Sequence, residues 1–287
     1  MIRKLVLVFI AFSLVACGSH EKSEETTTDQ TSKKIITAGG TITEIVNALG
    51  HGDEIIATDL TSTYPEAMKE LPSIGYRNQI KAEGILAFGP DLVLIEEGYL
   101  NADVITQLKA AQVELELFTK PKSIAETKTI IAELSELFQE KEKGVHLISE
   151  IDADLEKLNQ FIATHESKPK ALFVMARGPE TLFIAGEKTF ASEIFKIAQL
   201  ENTATGFDEF APLSPESLPN LNPDFIILFA SSVQSLGGLE GLSKIQGIDQ
   251  TTAFQKNQII TMDGHYLSSF GPRVGKAALE LAKAARP

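Results

Sequence analysis

Short apolar runs rich in β-branched residues alternate with amphipathic stretches along most of the chain. KIIT (34–37), EIIA (54–57), DLVLI (91–95) and VELELF (113–118) form one series, each followed by helix-like sequence. KALFVM (170–175), TLFIA (181–185), DFIILF (224–229) and QIITM (258–262) form a second. Strand-length apolar runs separated by helical stretches predict βα units and mostly parallel sheet. Two such series predict an α/β protein with two lobes.

Between the series, residues 122–166 contain no proline and no strand-like run. From Val145 onward, apolar residues recur at Val145, Ile148, Ile151, Leu155, Leu158 and Ile162. Steps of three and four place them in one helical stripe. Gly144 interrupts the segment, so the expectation is a helix to about Phe138 and a long second helix to about Thr164. A helix of about 20 residues spans roughly 30 Å, enough to link two lobes stiffly. The lobes also echo each other. EGILAFGPDLVLI (83–95) and ESLPNLNPDFIIL (216–228) both place a glutamate seven residues before a Pro-Asp pair that opens an apolar strand.

The first residues follow a different pattern: Arg3 and Lys4, an apolar run from Leu5 to Leu14, then small residues and Cys17. A membrane-spanning helix needs about 20 apolar residues, so the run is read as a signal peptide over residues 1–16. LVAC (14–17) resembles the bacterial lipobox, which predicts a lipid on Cys17; a secreted protein with a stray cysteine is the alternative. Residues 18–34 are polar and threonine-rich, and the expected organisation continues with a lipidated flexible tether over 17–33. An N-terminal α/β lobe (34–140), a linking helix (141–166) and a C-terminal α/β lobe (167–287) then follow.

Composition narrows the chemistry. The apolar content is 43% and the formal net charge is −13, with a single cysteine and no tryptophan. An acidic chain without a basic cluster in its folded part is unsuited to nucleic acid or to electrostatic attachment to anionic lipid. One cysteine rules out an intramolecular disulfide, CxxC redox chemistry and thiolate zinc sites. The chain lacks GxSxG and HExxH, and its five histidines are scattered, so it is expected not to be an enzyme. Gly39, Gly40 and Thr41 lie between a strand and a helix, but no GxGxxG or P-loop completes a nucleotide site.

Seven stretches carry a family resemblance: ITAGGTITEIVNALG (36–50), DLTSTYPEA (59–67), LPSIGYRNQIKAEGILAFGPDLVL (71–94), ARGPETLFIAG (176–186), PLSPESL (212–218), SLGGLEGL (235–242) and FGPR (270–273). They resemble the helical-backbone class of periplasmic solute-binding proteins that feed ABC importers, and within it the haem (hemin) binders. The resemblance implies a class III fold: two Rossmann-like lobes with mostly parallel central sheets, joined by one long α-helix, with the ligand in the cleft. It implies an extracytoplasmic lipoprotein, periplasmic or at the cell surface, acting as a monomer in iron and haem uptake. Its partners would be haem, an ABC permease and, through Cys17, a membrane. A ferric siderophore or cobalamin is the alternative ligand of the same fold.

By that resemblance, Tyr76 is the expected axial ligand of haem iron, a hard phenolate donor suited to Fe(III). The family usually carries an arginine two residues after that tyrosine, where this chain has Asn78, with Arg77 one residue earlier. Tyr64 is the rival on the same lobe, and Tyr99 a weaker one. Some relatives place a histidine in the region matching ARGPETLF; this chain has Arg177 instead, whose fork suits a propionate. His265 and Tyr266 follow the QIITM strand, where βα loops face ligands, and are candidate contacts. Glu83 and Glu216 resemble the glutamates with which the class docks on permease arginines, one from each lobe.

Overall fold

The computed structural model describes residues 33–287. The expected signal peptide, Cys17 and the tether up to residue 32 lie outside the described residues. In the N-terminal lobe the elements are β1 (Ile35–Ala38), α1 (Gly40–Val46), β2 (Ile55–Thr58), α2 (Ala82–Leu86), β3 (Leu92–Glu96), α3 (Ala102–Ala110) and β4 (Glu114–Phe118). The strands form one parallel sheet in the order β2-β1-β3-β4. Every residue of β1 and β3 is buried, as expected of inner strands covered on both faces. β4 sits at the edge, with Glu114 and Glu116 exposed.

The chain leaves this lobe through α4 (Ile124–Leu137) and α5 (Lys141–Ala163). Ser123 caps α4, its hydroxyl accepting from the Glu126 N–H at 3.2 Å. The 23-residue α5 buries Leu147, Ile151, Leu158 and Ile162. Two expectations about this region change. Val145 is 68% exposed and lies off the buried stripe, which starts at Leu147. Gly144 does not interrupt a helix but lies in the first turn of α5, where a Cβ would stand 2.4 Å from Ser135 Cβ. Glycine there lets α5 fold back closely on α4.

The C-terminal lobe comprises β5 (Lys170–Ala176), β6 (Leu182–Ala185), α6 (Phe190–Ile197), β7 (Glu201–Asn202), β8 (Phe210–Pro212), α7 (Leu218–Leu221), β9 (Phe225–Phe229), α8 (Ala230–Ser235), α9 (Thr252–Gln255), β10 (Ile259–Met262), α10 (Gly264–Ser268) and α11 (Val274–Ala284). Its sheet runs β10-β9-β5-β6-β8, with β7 also paired to β5. β10, β9, β5 and β7 are mutually parallel. The TLFIA run, placed above in the parallel series, instead forms β6, antiparallel to β5 and β8. The turn between β5 and β6 is closed by the Arg177 N–H donating to the Thr181 carbonyl at 2.9 Å. A connection that short cannot make the crossover a parallel strand requires.

Helix α11 lies along α5, and Gly275 permits the approach: a Cβ there would be 3.0 Å from the Ile151 carbonyl oxygen. One apolar cluster joins Ile35 and Ile45 of the first lobe, Ile151 and Leu158 of α5, and Phe173, Ile227 and Leu281 of the second. The two lobes therefore share a core along the linking helix. Gly144→Ala is expected to lower stability by about 1–3 kcal/mol, the usual cost of overpacking. Urea unfolding monitored by circular dichroism measures it, and an unchanged midpoint would mean that the α4–α5 contact yields at no cost.

Candidate functional site

The β1–α1 turn starts the site. Gly39, at φ 110°, donates its N–H to Asp59 Oδ1 at 2.9 Å, and the Thr41 N–H donates to Glu96 Oε1 at 3.0 Å. Both carboxylates are almost fully buried, at 2% and 1% exposure. A Cβ on Gly39 would stand 2.4 Å from the Glu96 side chain, and one on Gly40 would stand 2.3 Å from His265 Nε2 of the other lobe. The glycine pair thus serves close approach rather than anion cradling. Burial raises the pKa of Glu96 above the ordinary carboxylate value, against the opposing charge of Lys120.

Asp59 also accepts from the Thr61 N–H at 2.8 Å, from the Thr61 hydroxyl and from the Ser62 hydroxyl. Thr61 Oγ1 in turn lies 3.1 Å from the Tyr99 hydroxyl. Tyr99 is 6% exposed, and burial followed by the Glu96 charge pushes its phenol well above the ordinary tyrosine value. It remains a neutral phenol. Tyr76 differs: it is 38% exposed, on a loop that follows Gly75 at φ 112°. The Arg77 guanidinium lies 5.7 Å from the Tyr76 ring centroid and 5.3 Å from that of Tyr99.

The second lobe supplies an aromatic wall. Phe190 and Phe229 stack with centroids 5.5 Å apart, Phe210 lies 6.1 Å from Phe190, and Phe173 packs behind, 4.8 Å from Phe229. Together with Tyr76, Arg77 and Tyr99, these rings and Arg177 enclose a cleft of about 530 Å³ between the lobes. That size suits a small organic ligand. The sequence pattern did not reveal the wall, because Phe190, Phe210 and Phe229 come from three elements and read individually as core residues.

His265 also lines the cleft. Its side chain is 8% exposed, neither ring nitrogen has a hydrogen-bond partner, and Nε2 stands 3.9 Å from Glu44 Oε2. Burial lowers its pKa, which favours the neutral imidazole. Asn78 is exposed and does not line the cleft; its carbonyl accepts from Asn101 Nδ2 at 3.0 Å. Tyr64 and Tyr266 face a separate hollow of about 390 Å³, where they flank Arg273, with their ring centroids 3.3 and 4.9 Å from its guanidinium.

Sequence reasoning missed Arg273 as a structural centre. It donates from Nε to Glu44 Oε1 at 2.7 Å and from Nη2 to Glu44 Oε2 at 2.8 Å, and Glu44 is 3% exposed. This bidentate pair joins the lobes beside the cleft. The Thr41 hydroxyl donating to the Ser269 carbonyl and the Thr127 hydroxyl donating to the Phe270 carbonyl, each at 2.7 Å, add two further ties. Glu83, in the first turn of α2, and Glu216 are both exposed. Among the described residues no cluster of three or more His, Cys, Asp or Glu side chains is arranged to hold a metal ion, and no helix is long and apolar enough to cross a membrane.

A family model described as periplasmic binding protein matches residues 35–266. The chain belongs to that family. Its fold is similar to that of the periplasmic heme-binding protein RhuT from Roseiflexus sp. RS-1 in apo form, with TM-score 0.85, 33% identity, and coverage of 89% of this chain and 98% of that one. It is 25% identical over 268 residues to the uncharacterized ABC transporter substrate-binding lipoprotein YvrC of Bacillus subtilis (strain 168), covering 92% of this chain and 83% of that protein. It is 24% identical over 259 residues to the vitamin B12-binding protein of Yersinia pestis (strain Pestoides F), covering 88% and 86%. The two-lobed class III architecture implied by the resemblance is the one observed. The relatives are described as binding proteins.

Removing one partner of a buried ion pair leaves an uncompensated charge. Arg273→Ala is accordingly expected to cost about 3–5 kcal/mol of stability. The midpoint of urea unfolding reports this, and a loss below about 1 kcal/mol would show that the pair contributes no more than an exposed one.

Proposed function

We propose that this protein captures haem in the interlobe cleft, outside the cytoplasm, and delivers it to an ABC importer permease while a lipid on Cys17 keeps it at the membrane. The observation that carries this reading is a half-exposed tyrosine on one lobe and a wall of three phenylalanines on the other, lining a single cleft. A flat apolar ring bearing ferric iron and two carboxylates needs an anionic oxygen donor, apolar walls and cations. The similarity to a heme-binding structure at 33% identity supports the same ligand.

Among the four tyrosines, position in the cleft together with exposure favours Tyr76 as the iron ligand. Ligation requires the phenolate. Tyr99 is held neutral by burial and by the carboxylates near it. Tyr64 is committed to the Arg273 guanidinium in the adjoining hollow. Tyr76 is accessible, lines the cleft and has the Arg77 guanidinium beside its ring. Arg177, at the β5–β6 turn, is then placed to meet a propionate from the opposite lobe. His265 contributes a neutral imidazole to the wall. Asn78, Tyr64 and Tyr266 act outside the immediate contact set.

The vitamin B12-binding relative keeps cobalamin as the second reading. Adding hemin to the purified protein and recording the visible spectrum separates the two. A one-to-one Soret shift with a tyrosinate charge-transfer band is expected, with no comparable change on adding cyanocobalamin. Tyr76→Ala is expected to abolish the charge-transfer band and weaken hemin binding by at least about 30-fold, as for a central contact residue. No shift at micromolar hemin would overturn the haem reading.

Glu83 and Glu216, exposed at matching offsets in the two lobes, suit a partner with twofold symmetry. In cells, the double variant Glu83→Ala, Glu216→Ala is expected to lose haem uptake while the purified protein keeps its hemin affinity. Normal uptake by that variant would remove these residues from docking.

A further inference from the structure

Lys120 follows β4 and lines the cleft, half-buried on the N-terminal lobe. No carboxylate lies within 4.0 Å of its Nζ among the described residues. All other lysines lacking such a partner there are exposed. A lysine that gives up much of its hydration ordinarily gains an anion in exchange. The nearby carboxylate Glu96 is a weak candidate for that anion. Its Oε1 already accepts the Thr41 N–H, and burial favours its protonated form. Burial of Lys120 itself, with the charge of Arg77 adding to it, destabilises the ammonium despite Glu96. The cleft therefore holds a cation whose environment improves when an anion arrives.

Resting on the haem reading above, we propose that Lys120 determines specificity by pairing with a carboxylate of the bound tetrapyrrole, so that the cleft selects the free acid over its neutral ester or amide. Arg177 is exposed on the opposite lobe and takes a second carboxylate. The apolar wall of Phe190, Phe210 and Phe229 is indifferent to side-chain charge, so it cannot make this distinction. A dicarboxylate ring is held by opposite charges at two points. A corrin bearing amide side chains would offer Lys120 a hydrogen-bond acceptor but no counter-charge, and this penalty disfavours it.

The test compares hemin with hemin dimethyl ester, which keeps the ring and iron but has no ionisable carboxylate, on the wild-type protein and on Lys120→Gln and Lys120→Arg. Lys120→Gln is expected to weaken hemin binding about tenfold, the size of a charge-assisted hydrogen bond, and ester binding less than about twofold. Lys120→Arg should recover most of the hemin affinity. The tyrosinate charge-transfer band should persist in both variants, which separates loss of the carboxylate contact from loss of the iron ligand. Equal losses for hemin and ester, or no loss for either, would overturn the proposal while leaving haem binding intact. A wild-type protein that bound neither compound would overturn the haem reading, and the role of Lys120 with it.

Discussion

The buried pair between Glu44 and Arg273 is the constraint on which the site depends. Glu44 belongs to α1 of the first lobe and Arg273 immediately precedes α11 of the second, so their two parallel hydrogen bonds join elements far apart in sequence. A carboxylate with 3% exposure has lost nearly all its water and is stable there because the guanidinium replaces it. Tyr64 and Tyr266 stack on that guanidinium, while His265 stands beside the same carboxylate and packs against Gly40. Lobe contact and cleft wall are thus built from one cluster. Together with the shared core along α5 and α11, it leaves the cleft largely preformed.

Burial then sorts the polar groups of the cleft into two kinds. Asp59 and Glu96 turn inward and hold backbone N–H groups of the glycine turn, and burial raises the pKa of Tyr99 beside them. Tyr76, Arg77 and Lys120 of the first lobe and Arg177 of the second line the cleft together with the aromatic wall. A chain of net charge −13 therefore presents three cations, Arg77, Lys120 and Arg177, in this cleft.

Much of this architecture was legible from periodicity. All eight apolar runs became strands, and the helices before and after residue 140 fall close to their expected ends. The departures share a cause: local pattern reports burial but not its partner. TLFIA is apolar enough for any inner strand, and the short turn at 177–181 made it antiparallel. Gly144 looks like a helix breaker until Ser135 is found against it. Val145 fits the stripe by spacing yet faces solvent, because α4 and α11 cover a slightly rotated face of α5.

By itself the sequence determined most of the elements and the two-lobed α/β plan, since these follow from local propensity and from matching motifs. Tertiary structure alone decided which side chains share a space. It brought Tyr76, Arg77 and Arg177 to one cleft and moved Tyr64 and Tyr266 to another hollow around Arg273. It also assembled the phenylalanine wall and left Lys120 half-buried with no ion-pair partner among the described residues. The physical reason is that desolvation and charge pairing depend on distances across the fold, between residues whose separation in sequence carries no trace of their contact.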